Sequence, residues 1–366
     1  MQHNIEVSLD KKSYQIIIGV GQINYLEKFL SDKNYSKIIV ITDENVANIH
    51  LPKLLQALCN CKILINTIIT KSGESAKSFA NLEKIAEEIL SKEIDRKSLI
   101  IALGGGVVGD LSGFLASILL RGIDFIQIPT TLLAMVDSSV GGKTAINSRY
   151  GKNLIGSFYQ PKLVICDTIF LLSLNLRQMK AGYAEIVKSA LIKDKDFFEF
   201  LDLNLEEKFL AKTDLDFLAI LIAKSCEIKA KIVSEDETEQ ESRMLLNFGH
   251  SFAHIFETET NYSDEILHGE AVSIGMVMAA EMSKNYQLIT VSDVNKITNH
   301  LKRAGLPISA NQIRSSWNIE NLSRHLYKDK KTENKNLTFI LLKDIGDAIV
   351  KKSAPYADFL KLTKFQ

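Results

Sequence analysis

The run LIIALGGGVVGDLSGFLASILL (99–120) is long and apolar enough to pass for a bilayer span. Asp110 near its middle and five glycines argue against that reading. A buried strand ending near Leu103, a turn over the glycines and a helix account for the same residues. GGGVVG (104–109) then sets Gly104, Gly106 and Gly109 in a G-x-G-x-x-G arrangement between strand and helix. In that context a backbone can approach a pyrophosphate, and a helix N-terminus supplies amides and a positive dipole. The motif opens only at residue 104, and no acidic residue closes the next strand to hold a ribose. An ordinary dehydrogenase fingerprint is therefore not expected, and a tight turn of any α/β protein is the competing reading.

Working outward, KIIVI (37–41), KILINTII (62–69), SLIIAL (98–103) and DFIQIP (124–129) read as buried strands. Helical patterns lie between them, as at 78–92. Alternation of this kind implies a mostly parallel sheet. After about residue 178 helical periodicity takes over, and only NLTFILL (336–342) looks extended. The 366 residues are long for one core. The expectation is a Rossmann-like α/β domain over 1–178 followed by an all-α, metal- and substrate-binding domain over 179–366.

Lysine plus arginine equals aspartate plus glutamate at 44 each, so nothing favours nucleic acid or an acidic membrane surface. Cys59, Cys61, Cys166 and Cys226 form no CxxC pair and read as reduced thiols. MQHNIEVSLD lacks the regions of a signal peptide. A cytoplasmic enzyme is expected.

His250, His254 and His268 fall within nineteen residues, in NFGHSFAH (247–254) and LHGE (267–270). On a helix His250 and His254 share one face. Such clustering suits a divalent metal, usually zinc, and equally suits ordinary core or capping histidines. PTTLLAMVDSSVGGKT (129–144) and GKNLIG (151–156) place Lys143 and Lys152 beside glycines, with Arg121, Thr130, Thr131, Asp137 and Asn153 nearby. Lysines in small-residue settings favour a phosphate or dinucleotide site over a solvated loop.

Taken together, GGGVVGDLSGFLASILLRGIDFIQIPTTLLAMVDSSVGGKT, GKNLIGSFYQP, GYAEIVK, CEIKAKIVSEDE, LNFGHSFAH, LHGEAV, DKK (329–331) and FILLKDIG occur in the order typical of 3-dehydroquinate synthases. The chain resembles that family over nearly its whole length. The family belongs to the sugar-phosphate cyclases and is related in fold to glycerol and iron-dependent alcohol dehydrogenases. The resemblance implies conversion of 3-deoxy-D-arabino-heptulosonate 7-phosphate to 3-dehydroquinate and phosphate, a step of the shikimate pathway. It implies transient oxidation by NAD, β-elimination, re-reduction and an intramolecular aldol closure. It also implies one divalent metal, zinc or cobalt, and a homodimer. Rival readings are another sugar-phosphate cyclase and an NAD- and metal-dependent polyol dehydrogenase.

Carried over residue by residue, the resemblance implies Glu185, His250 and His268 as metal ligands, leaving His254 for phosphate binding and proton transfer. Spacing alone pairs His250 with His254 instead. Lys143, Asn153, His254, Lys330 and Lys331 are expected at the substrate phosphate, with Arg121 reaching in from a second subunit. Lys229, Arg243 and Asn247 are expected at the substrate carboxylate. Asp137 and Lys188 are expected at substrate hydroxyls, and Glu239 is a second proton-transfer group. For NAD the matching positions are Asp43, Asn45, Ser72, Gly73, Glu74, Lys77, Gly105, Gly106, Val107, Val108, Gly109, Asp110, Thr130, Thr131, Lys143, Lys152, Phe170, Leu171, Leu172 and Ser173. Among departures from the pattern, Glu241 stands where glycine is usual, close to Arg243, and is expected to face solvent.

Overall fold

A computed structural model describes residues 1–210, 214–328 and 336–363. The chain divides into two compact units, residues 1–175 with 214–238, and residues 176–213 with 239–366.

The first unit begins with β1 (Gln2–Val7) and β2 (Tyr14–Gly19), then α1 (Tyr25–Ser31), β3 (Lys37–Asp43), α2 (Glu44–Ala57) and β4 (Leu64–Thr70). It continues with α3 (Phe79–Leu90), β5 (Ser98–Gly104), α4 (Gly106–Ile118), β6 (Asp124–Pro129), β7 (Lys143–Ser148), β8 (Gly151–Phe158) and β9 (Leu163–Asp167). Seven strands form one sheet in the order β1-β2-β9-β6-β5-β3-β4, while β7 and β8 make a separate hairpin. Only the β1–β2 pair of the large sheet is antiparallel. Every residue of β5 is buried, as expected of a central parallel strand that is apolar on both faces. Leu82, Ile85 and Ile89 of α3 and Leu111 and Leu115 of α4 join Ile39, Ile41 and Ile100 of the sheet in one core cluster.

In the second unit α5 (Leu176–Lys193) and α6 (Lys195–Asn204) come first. The chain then returns to the first unit as α7 (Leu215–Glu235), which packs on β1 and β2. Back in the second unit follow α8 (His250–Glu259), α9 (His268–Asn285), α10 (Val291–Arg303), α11 (Ile319–Lys328), β10 (Asn336–Asp344), β11 (Asp347–Pro355) and α12 (Tyr356–Thr363).

Two expectations need correction. The second unit is not all-α, because β10 and β11 pair as an antiparallel hairpin. Nor does the chain cross once near 178, since residues 214–238, with Lys229, belong to the first unit. Periodicity marks α7 as a helix but carries no information about which core its apolar face joins. The strand–turn–helix reading of 99–120 is what the structure has, and no helix among the described residues is long and apolar enough to cross a membrane.

The second unit is organised on α9, whose residues are buried almost all round, from Gly269 and Ala271 to Met282 and Ser283. Such a helix must be covered on every side, and α5, α8, α10, α12 and β10 pack against it. Two of these contacts are made backbone to backbone. A Cβ at Gly269 would lie 1.9 Å from the Ala181 carbonyl oxygen of α5. A Cβ at Gly275 would lie 2.1 Å from the carbonyl oxygen of Gly249. Gly249 itself is left-handed (φ +80°) where α8 begins, a conformation that glycine adopts without a steric cost.

Gly269→Ala is therefore expected to lower stability by about 1–3 kcal/mol through overpacking, read as the unfolding midpoint. Gly21→Ala, at a left-handed position with nothing within 4 Å of the new Cβ, separates steric overlap from backbone strain. A Gly269→Ala protein as stable as wild type would show that the helix contact can accept a methyl group.

Candidate metal centre and nucleotide edge

The close approach of α9 to α5 and α8 brings the first residues of two helices beside the middle of a third. Glu185, His250 and His268 form a cluster in which one donor atom from each lies within 4.8 Å of the others. Glu185 Oε1 is 3.7 Å from His250 Nε2 and 3.5 Å from His268 Nε2. Donors about 2.0–2.2 Å from a tetrahedral zinc stand about 3.3–3.6 Å apart. The two distances from Glu185 are therefore close to those an ion would impose, and the cluster's one carboxylate and two imidazoles suit zinc or cobalt. Glu185 is 1% exposed, whereas the His268 side chain keeps 26% of its surface, so the cluster is open on the His268 side.

Both imidazoles are anchored from behind. His250 Nδ1 lies 3.2 Å from the Phe248 carbonyl oxygen, and His268 Nδ1 lies 3.2 Å from Glu257 Oε1. With Nδ1–H donating to these acceptors, Nε2 of each ring is left facing Glu185. Lys188 follows Glu185 by three residues on α5 and makes a close ion pair with it, both side chains being almost fully buried. Burial, with help from Lys188, pushes the His250 imidazole down to about 3, so it is neutral, the form that binds a metal. Burial also works against a charged His268, but the Glu257 and Glu185 carboxylates outweigh it and lift that imidazole to about 10, so a metal binding at its Nε2 takes the place of a proton held there.

The start of α9 is also clamped. Arg177 donates from Nε and Nη2 to the two carboxylate oxygens of Glu270, 2.7 Å each, and from Nη1 and Nη2 to the carbonyls of Asp264 and Glu265. Glu270 in turn accepts from the Leu267 amide at 2.8 Å.

His254 is exposed and one turn from His250 on α8, with ring centroids 5.6 Å apart, but it lies outside the three-residue cluster. Asn247 Nδ2 donates to Glu239 Oε1 at 2.5 Å. Arg243 is 1% exposed, while Glu241 faces solvent as expected. Lys330 and Lys331 lie outside the described residues.

In the first unit the expected nucleotide residues gather along one edge. Asp43 ends β3, Thr70 ends β4, Gly104 ends β5 and Pro129 ends β6, and the register sets Asp43 opposite Thr70 and Gly104 opposite Pro129. Asp43 and Asn45, the 72–77 segment, the 105–110 segment, and Thr130 and Thr131 all follow directly. The carboxyl edge of a parallel sheet is where α/β folds bind ligands. Phe170, Leu171, Leu172 and Ser173 follow β9, with Ser173 Oγ 2.9 Å from His50 Nε2 and Phe170 packed on the same ring. β3 precedes β5 in sequence but neighbours it in the sheet, which puts Asp43 at the end of the strand beside the one that ends at Gly104. Asp43 Oδ1 also caps α2, accepting from the Asn45 and Val46 amides.

No side chain caps α4, and Gly105, Gly106 and Val107 at its start are partly exposed. That arrangement fits an anion of dinucleotide type. Gly109 serves packing, since a Cβ there would meet the Gln127 amide at 2.7 Å.

Lys77 is 3% exposed and joins three segments, donating to Asp110 Oδ2 at 2.6 Å and to Asn153 Oδ1 on β8, with Glu74 at 3.8 Å. Burial nevertheless raises the Asp110 carboxyl above its ordinary value. The link holds the β7–β8 hairpin, with Lys143, Lys152 and Asn153, against the start of α4. Lys143 is exposed at the first residue of β7. Lys229 donates to the Asp137 carbonyl at 2.6 Å and to its carboxylate, so these two expected substrate residues form a pair. Arg121 is exposed and left-handed (φ +67°).

Sequence reading missed Glu257 and the Arg177–Glu270 clamp. Glu257 had a signal, because positions 250, 254 and 257 fall on one helical face.

Family models place residues 67–181 in the 3-dehydroquinate synthase N-terminal family and residues 182–332 in the 3-dehydroquinate synthase C-terminal family. The 3-dehydroquinate synthase of Bartonella quintana (strain Toulouse) is 46% identical over 362 residues, covering 95% of this chain and 94% of that protein. The enzyme of the same name from Rhodopseudomonas palustris (strain BisA53) is 43% identical, covering 97% and 95%. Among solved structures, 2-deoxy-scyllo-inosose synthase complexed with carbaglucose-6-phosphate, NAD+ and Co2+ superposes with a TM-score of 0.89 at 25% identity, covering 99% of this chain and 98% of that one. Glycerol dehydrogenase from Schizosaccharomyces pombe shares the fold (TM-score 0.63, 16% identity, 86% and 84% covered). Matched by both family models over most of its length and more than 40% identical to curated members, the chain belongs to the 3-dehydroquinate synthase family.

Proposed function

We propose that this protein is a 3-dehydroquinate synthase, a lyase that converts 3-deoxy-D-arabino-heptulosonate 7-phosphate to 3-dehydroquinate and inorganic phosphate. The observation that carries the reading is identity of 42–46% to 3-dehydroquinate synthases over 95–98% of the chain, in a fold with a carboxylate–bis-imidazole cluster. 2-Deoxy-scyllo-inosose synthase, solved with carbaglucose-6-phosphate, is by contrast 25% identical.

Glu185, His250 and His268 are the residues to hold the metal, and the carboxyl edge of the first unit's sheet is the NAD site. When bound, NAD and a divalent metal supply reversible hydride transfer and a Lewis acid at substrate oxygens. Lys143, Asn153 and His254 hold the substrate phosphate and stabilise the charge it gains on leaving. Asn153 Oδ1 is engaged by Lys77, so its Nδ2 is the donor it offers. Lys229, Arg243 and Asn247 meet the substrate carboxylate, and Asp137 and Lys188 meet its hydroxyls. His254 and Glu239 move protons. Fixing both ends of the open chain favours the closing aldol by proximity.

The direct test is phosphate release from the heptulosonate phosphate with zinc and catalytic NAD, followed together with absorbance of reduced nicotinamide. Stoichiometric phosphate and dehydroquinate without accumulating NADH is expected. Accumulating NADH with a polyol, and no phosphate, would make the protein a dehydrogenase instead.

The active form is proposed to be a homodimer in which Arg121 of one subunit meets the phosphate held by Lys143 of the other. Arg121→Ala and Lys143→Ala, each nearly inactive, should on mixing recover about a quarter of wild-type activity, because random two-fold pairing leaves one intact site in each mixed dimer. A mixture no more active than its parents, with subunit exchange shown, would place both residues in one subunit's site.

A further inference from the structure

We infer that Glu257 is the positioning residue of the metal centre, holding His268 in the tautomer and orientation that present Nε2 beside Glu185. The inference rests on the metal reading given above and names the residue on which one arm of the centre depends.

Glu257 sits on α8 and is 5% exposed. A carboxylate so buried carries a large desolvation cost unless a donor or a cation meets it. His268 Nδ1, at 3.2 Å from Oε1, is such a donor. The ring stands between two carboxylates that do different things. Glu185 lies 3.5 Å from Nε2 on one edge, and Glu257 faces Nδ1 on the other. The two nitrogens of an imidazole point away from one another, so a metal bound at Nε2 is out of reach of Glu257 through that ring. With Nδ1–H donated to Glu257, the Nε2 lone pair is the one offered to a cation. The negative charge behind the ring also makes Nε2 a better donor to a metal.

The second imidazole supports this division of labour. His250 reaches the Phe248 carbonyl with Nδ1 and turns Nε2 towards Glu185. A backbone carbonyl holds the ring at the start of α8, whereas a side chain holds the ring at the start of α9. That side chain comes from α8, and Gly249, the residue just before α8, meets Gly275 of α9 backbone to backbone. One contact thus brings the ligand His268 and its orienting carboxylate together.

The test uses full-length protein stripped of metal, with zinc affinity measured by competition with a chelator. Glu257→Ala is expected to weaken zinc binding about 10–100-fold. Glu257→Gln, whose amide oxygen still accepts from Nδ1–H, is expected to keep most of the affinity. Nitrogen-15 NMR of the zinc-loaded wild type should show His268 protonated at Nδ1. Far-UV circular dichroism of the metal-free proteins reports folding separately, and if the alanine variant does not fold, the glutamine variant and the tautomer decide. Wild-type affinity in a folded Glu257→Ala protein, or zinc bound through Nδ1 of His268, would overturn the assignment. Absence of zinc binding by the wild type would overturn the metal reading itself, and this inference with it.

Discussion

The second unit depends on contacts where backbone meets backbone without a side chain between. α9 touches α5 at Gly269 and touches the residue before α8 at Gly275, each at a distance that a methyl group would violate. Helix axes ordinarily stand 8–10 Å apart because side chains keep them apart. Removing those side chains at chosen points draws the start of α9 onto the middle of α5. His268 at the first position of α9 and His250 at the first position of α8 then reach Glu185. The cluster follows from the packing, and its exposure on the His268 side follows from both histidines lying at helix ends.

Buried charge adds a second constraint. Glu185 with Lys188, and Lys77 with Asp110, place ionised groups where isolated charges would be costly. Such pairs are weak sources of stability, but removing one partner leaves the other buried and uncompensated. They hold geometry: Lys77 ties three segments of the first unit, and Lys188 fixes the carboxylate that the imidazoles face.

The local signals of the sequence were good guides. The glycine-rich turn, the four parallel strands β3 to β6 and the late extended run NLTFILL are all strand, turn or strand–helix junctions in the structure. Apart from β1, β2, β7, β8, β9 and β11, which were not read as strands, what stayed hidden was tertiary. α7 reads as one more helix of the second half, yet its apolar face belongs to the first unit's sheet. The strand after the glycines ends in no acidic residue, whereas sheet order sets β3, which ends at Asp43, beside the glycine strand although β4 separates them in sequence. Spacing paired His250 with His254, while the third member of the cluster, Glu185, is on another helix and has no periodic relation to either. The family resemblance named Glu185, and the geometry groups it with His250 and His268. Glu257 was readable as the next member of the face carrying His250 and His254, but nothing local says that it meets His268.

The central claim is that Glu185, His250 and His268, and not His254, hold the metal. Anomalous diffraction at the zinc edge from crystals of the zinc-loaded protein tests it most directly. The account predicts one strong peak in each subunit, within bonding distance of a Glu185 carboxylate oxygen and of Nε2 of both His250 and His268. A peak bonded to His254 in place of either, or no peak at this cluster, would contradict it.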